Sequence, residues 1–106
     1  MGVYIVVIIE SLCKRVKEEN KERIYFYRSF NEDYCGRQAY GVEIERHDVE
    51  NGSLVKIERD SISKVTMVED KIKDVLNLIY NNNVSPIHLV DIIGEYVDSN
   101  VWEFNF

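Results

Sequence analysis

Three side chains near the C-terminal end have the types and spacing that could hold a metal: His88, Asp91 and Glu95. At i, i+3 and i+7 of a helix, an imidazole and two carboxylates fall on one stripe and form a donor set for a divalent cation. The same pattern also arises on any helix whose outer face is polar, and the spacing of an HExxH site is missing. Nucleophilic chemistry would fall to Cys13 or Cys35, with His47 as the base. A thiol needs such a base close by, and neither cysteine has a histidine near it in sequence. His47 would have to reach Cys35 through space. No glycine-rich phosphate loop, GxSxG, CxxC or acidic metal box is present. No catalytic residue and no cofactor is expected, and binding is the leading reading.

Two features suit contact with another protein. Tyr25 and Tyr27 lie on one face of a strand pattern, and Trp102, Phe104 and Phe106 alternate along the last residues. Large aromatic side chains concentrate binding energy at interfaces, and an alternating terminus can add to an open sheet edge. The second feature is acidic. A two-residue Asn51-Gly52 loop sets Glu45 opposite Glu58, Glu43 opposite Asp60 and His47 opposite Lys56. Facing like charges destabilise a ladder by up to about 1 kcal/mol, so a chain that keeps them presents an acidic patch for a basic partner. A shifted register, or Arg46 and Arg59 reaching round, would remove the patch instead.

Composition narrows the class of protein. One domain fits in 106 residues, 45% hydrophobic and 30% charged, with seven tyrosines, four phenylalanines and one tryptophan. That content is enough for a folded core without a metal or disulfide. At a net charge of −6 the chain lacks the basic excess that phosphate backbones or anionic lipid attract. Lys14, Arg15, Lys17, Lys21 and Arg23 are interrupted by Glu18, Glu19 and Glu22, so no basic patch forms. Nucleic acid and membrane are not expected as partners. Two cysteines without motif spacing read as reduced thiols of a cytoplasmic protein. The apolar opening, 3–9, lacks the basic flank of a signal peptide and is too short to span a bilayer.

The elements that must position these groups follow from periodicity. Strands are expected over about 3–16, 23–30, 37–49 and 54–62. The unbroken Val3–Ile9 run suggests a strand buried on both faces. In the second strand, Ile24, Phe26 and Phe30 form one face and Tyr25, Tyr27 and Ser29 the other. The residues 31–36 read as a break, and Asn51-Gly52 as a hairpin turn. After Thr66, with Glu69 placed for a capping box, the period changes to 3.6. Ile72, Val75, Leu76, Ile79 and Tyr80 give a helix over about 67–81. Ser85-Pro86 opens a second over about 86–98, with Leu89, Ile92, Ile93, Tyr96 and Val97 inward. The expected fold is α+β: an antiparallel four-stranded meander followed by an αα-hairpin packed on the apolar face of the sheet. A fifth strand forms over 101–106 if the tail pairs.

The second half resembles a family of short uncharacterised bacterial proteins, a domain of unknown function. The resemblance rests on Ala39-Tyr40-Gly41-Val42-Glu43, Val65, the helix bearing Val75, Leu76 and Ile79, and the run from Asn83 to Val97 with its Ser85-Pro86-Ile87-His88-Leu89 opening. It covers about 38–98, implies the same element order, and carries no activity. The expectation is a small cytoplasmic binding or regulatory module, acting through a sheet edge or face on a protein partner or a second copy as a homodimer. Its residues would be Tyr25, Tyr27, Glu43, Glu45, Glu58, Trp102 and Phe104. The alternative is a metal- or small-ligand-binding protein at His88, Asp91 and Glu95, with weak enzymatic activity at that site or at Cys35 and His47.

Overall fold

The computed structural model describes residues 6–104. Four long antiparallel strands come first: β1 (Val6–Glu18), β2 (Lys21–Tyr34), β3 (Arg37–Glu50) and β4 (Ser53–Thr66). They form a meander in the order β1-β2-β3-β4. Helix α1 (Glu69–Asn81) follows, then a 3-10 turn (Pro86–His88) running into α2 (Leu89–Ser99), and a last 3-10 turn (Val101–Phe104). The Cα extents of 51 × 32 × 19 Å are those of a thin two-layer plate.

Two-residue loops keep the meander tight. Asn51-Gly52 turns with φ of 51° and 79°, and Cys35-Gly36 with 52° and 81°, the left-handed pair that matches strand twist in a hairpin. Cys35 occupies a conformation usually left to Gly or Asn, and β2 therefore runs through to Tyr34 where the sequence pattern suggested a break. The first two strands and the last two meet at one end of the sheet. There Asn51 N–H donates to the Asn20 carbonyl at 2.9 Å, and Asn20 Nδ2 donates to Asn51 Oδ1 at 2.8 Å.

The strand expected to be buried on both faces is an edge strand. Val6, Val7, Ile8 and Ile9 are 39–53% exposed, because a meander places its first strand outermost. The strand is described from Val6; its expected start at residue 3 lies outside the described residues.

The helices also cover the other face from the one expected. Tyr25 and Tyr27 are 5% and 0% exposed and belong to the core with Val42, Ile44, Val65, Ile72, Val75, Leu76, Ile79, Val84, Leu89 and Ile93. The tyrosines pack in parallel at 5.9 Å, and Tyr80 meets Tyr27 edge-on at 5.7 Å. A tyrosine enters a core when its hydroxyl finds an acceptor; Tyr27 donates to the Val84 carbonyl at 3.0 Å. Ile92, expected inward, is 45% exposed.

The capping box does not form. The N-cap of α1 is Val68, with no side-chain cap. The Thr66 hydroxyl instead accepts from Val68 N–H at 3.1 Å and donates to Glu103 Oε1 at 2.7 Å. The tail is correspondingly not a fifth strand over its described part. Glu103 also accepts from Met67 N–H at 2.8 Å and Lys71 Nζ at 2.9 Å, which pins residues 101–104 to the start of α1. Residues 105–106 lie outside the described residues.

Gly41 is required by a close approach. Between Tyr40↔Thr66 and Val42↔Ile62 the ladder shifts, with Lys64 at φ 54° among the extra residues of β4. A Cβ on Gly41 would come within 3.0 Å of the Ile62 carbonyl oxygen and the Phe30 ring. Neither neighbour is a flexible side-chain end. Gly41→Ala is expected to cost about 1–3 kcal/mol, seen as a drop of several degrees in the thermal midpoint. An unchanged midpoint would contradict this packing.

Candidate functional site

Among the described residues the helices lie on one side only, and these residues leave the other side of the sheet uncovered. Period-2 alternation places every second residue there, and the observed register sets the rows. Cys13, Phe26, Glu45 and Arg59 lie side by side across the four strands. Ser11, Arg28, Glu43 and Ser61 form one flanking row; Arg15, Ile24, His47 and Ile57 form the other.

That register depends on a bulge. The loop is the expected Asn51-Gly52 pair, but the ladder shifts between Asp48 and Val49, leaving Val55 as an extra residue on β4. Glu45 consequently faces Arg59 and Glu58 faces Arg46, where an unbulged hairpin would set Glu45 against Glu58. One extra residue turns a repulsive ladder into an attractive one. It also moves Glu58 to the helix-side face, where it pairs with Arg46 at 3.0 Å and Lys56 at 2.6 Å. Glu43, Glu45 and Glu58 therefore do not form one acidic patch.

Glu45 is the centre of the open face. Its side chain is 9% exposed. Oε1 accepts from Arg59 Nε at 2.8 Å and Arg28 Nη1 at 3.2 Å, and Oε2 lies 2.5 Å from His47 Nε2. Glu43 takes a second bond from Arg28 at 2.8 Å. Burial alone would raise the Glu45 pKa; the bonds from His47, Arg59 and Arg28 outweigh it and hold the carboxyl down to about 2. It stays ionised at neutral pH and is fully engaged, so it fixes geometry and is a poor proton acceptor. The Phe26 ring lies beside this network, with the His47 ring at 4.9 Å and the Arg28 guanidinium carbon 5.2 Å from its centroid.

The other expected residues are dispersed. Tyr25 and Tyr27 are in the core. Trp102 is 68% exposed, and Phe104 packs edge-on against Tyr34 at 5.4 Å. His88, Asp91 and Glu95 are exposed on the last helical stretch, and among the described residues no group of three or more His, Cys, Asp or Glu side chains is placed to hold a metal. Cys35 sits in a turn while His47 lies ten residues along β3 from Arg37, about 33 Å of strand; they cannot act together.

Arg28 was not among the expected site residues, His47 was expected only as a base for Cys35, and Arg59 only as a side chain that could neutralise the acidic patch. Arg28 had a visible signal, since it falls in the stripe of Ile24, Phe26 and Phe30, and a charge in that stripe marks a face without helical cover. Glu103, buried at 5% side-chain exposure, had none, because its partners are more than 30 residues away.

The chain matches the Family of unknown function (DUF6514) over residues 6–99 and belongs to it. The match takes in the whole sheet and both helices, and ends before Glu103 and the aromatic tail. No curated protein and no solved structure matches the chain. Among the described residues, no helix is long and apolar enough to cross a membrane.

A group with a depressed folded-state pKa stabilises above its unfolded value and loses that contribution as pH falls through the folded value. The Glu45 contribution is therefore full above about pH 4.5 and fades towards pH 2. Glu45→Gln is expected to cost about 1–3 kcal/mol at pH 7 and to flatten the loss of stability between those pH values. Parallel wild-type and variant curves in denaturant titrations across that window would contradict the assignment.

Proposed function

We propose that this protein is a small binding or regulatory module of a bacterial cytoplasm that engages a protein partner through the open face of its sheet, around Phe26, Arg28, Glu43, Glu45, His47 and Arg59. The observation that carries the reading is that no helix of the described residues covers this face while Arg28, Glu43, Glu45, His47 and Arg59 are already paired with one another. Desolvating a paired network costs less than desolvating isolated charges, and its side chains are held in place before a partner arrives, which lowers the ordering cost of association. Aromatic and arginine side chains at the centre of such a face are the types enriched in binding hot spots. Exposed Ile57 and Leu54 extend the apolar part of the surface along β4. Glu45 is bonded for positioning, and no nucleophile stands beside it, which favours binding over catalysis. Two free, exposed thiols, Cys13 and Cys35, suit a reducing compartment.

The test uses a photo-crosslinking amino acid in living cells. Placed at Phe26 it should give a discrete adduct of higher mass, while placed at Leu78 on the outer face of α1 it should give none. Adducts from Leu78 alone, or none from either position, would contradict an open-face partner.

A further inference from the structure

The two edges of the sheet are treated differently. On β4, the register shifts twice, Lys56, Glu58, Asp60 and Lys64 interrupt the strand, and the turn at Pro86–His88 lies against it. These are the usual ways in which a sheet edge is protected from pairing. The outer edge of β1 carries Val6, Val7, Ile8 and Ile9, all exposed, with one bulge at Ile9 and no element of the described chain beside it.

Of the charges on β1, Glu10, Lys14, Lys17 and Glu18 form no ion pair among the described residues, and two of these, Glu10 and Lys14, flank Leu12 in the middle of the strand. Lys14 Nζ donates to two neutral acceptors, the Tyr80 carbonyl at 2.5 Å and Asn83 Oδ1 at 2.7 Å, and lies 3.9 Å from the Tyr80 ring centroid. Glu10 has no cation. Both point to the helix side, in line with Leu12, which faces Tyr27.

We propose that β1 is the seam of a two-fold homodimer, in which two copies of β1 pair antiparallel about Leu12 and continue the sheet from four strands to eight. A two-fold relating antiparallel edge strands is normal to the sheet, so opposite residues share a face and the axis passes through a residue. The choices are few. An axis at Glu10 or at Lys14 sets like charges against each other. An axis at Ser11 sets Glu10 against Leu12, and one at Cys13 sets Lys14 against Leu12. Only the axis at Leu12 places Glu10 opposite Lys14 of the second copy, and does so twice. Past the bulge at Ile9 the faces still agree, with Val7 opposite Val16 and Ile8 opposite Arg15 of the second copy. The seam thus pairs Glu10 with Lys14, two of the unpartnered charges of β1, and covers exposed valine and isoleucine. It does not rest on the open-face reading, since the charges it pairs, Glu10 and Lys14, lie on the helix side of the edge strand.

Native mass spectrometry and disulfide trapping test it together. The wild-type protein should show twice the 12.5 kDa chain mass, and Glu10→Lys should raise the dissociation constant at least tenfold while leaving the circular dichroism spectrum unchanged. In a Cys35→Asn background, Ser11→Cys should oxidise to a dimer whose peptide map shows a bond between Cys13 and the new cysteine. Monomer mass for the wild type at about 100 μM overturns the proposal. So does a dimer that Glu10→Lys leaves intact, and a cross-link joining Cys13 to Cys13 overturns the register.

Discussion

The tyrosine at position 27 decides which side of the sheet is inside. Its ring is fully buried between Leu12, Ile44, Tyr25 and Tyr80, and its hydroxyl donates to the Val84 carbonyl in the link between the two helices. Burial of an aromatic ring is worth about 1.5–3 kcal/mol, and the bond adds about 1. More important is the direction of the constraint. Were the ring turned to solvent, the Val84 carbonyl would be left buried without a donor, at a cost of about 1–3 kcal/mol. The burial also pushes the phenol far above its ordinary pKa, with the neighbouring Tyr25 and Tyr80 acting the same way, so the hydroxyl remains a donor. Everything above the sheet hangs from this face, including the apolar stripes of α1 and α2, and everything on the opposite face is left open.

The open face is then shaped by irregularities in β4 rather than by its hydrophobic pattern. One extra residue at Val55 brings Glu45 against Arg59, and Arg28 completes the set from β2. A second irregularity lies between Ile62 and Thr66, next to Gly41, where the Ile62 carbonyl and the Phe30 ring close on the glycine, and Phe30 is buried although it belongs to the open side. The two bulges do different things. The first arranges charge and the second sits where only a glycine fits at position 41.

Much of this was legible in the chain. The meander followed by two helices is written in the change of period from 2 to 3.6 after Thr66, and the Asn51-Gly52 turn in its two left-handed residues. The family match over residues 6–99 agrees with that order. Sidedness was not legible, because Ile24 and Phe26 look more apolar than Tyr25 and Tyr27 until the Val84 acceptor is known. Val55 was equally hidden, since a bulge leaves no local composition mark, and without it Glu45 and Glu58 read as one acidic patch. Cys35 concealed the second hairpin turn by taking a conformation its residue type rarely adopts. Glu103 illustrates the general limit: a carboxylate that accepts from the Met67 N–H just ahead of a helix, 36 residues away, carries no signal in its own neighbourhood.

The measurement that most directly tests this account is hydroxyl-radical footprinting read by mass spectrometry on the intact native protein. If the helices dock on the tyrosine face, Tyr25 and Tyr27 will be protected until the protein unfolds, while Phe26, His47 and Ile57 on the opposite side are modified in the native state. Rapid modification of Tyr25 and Tyr27 with protection of Phe26 and His47 would mean that the helices cover the other face, and the open-face site would not exist.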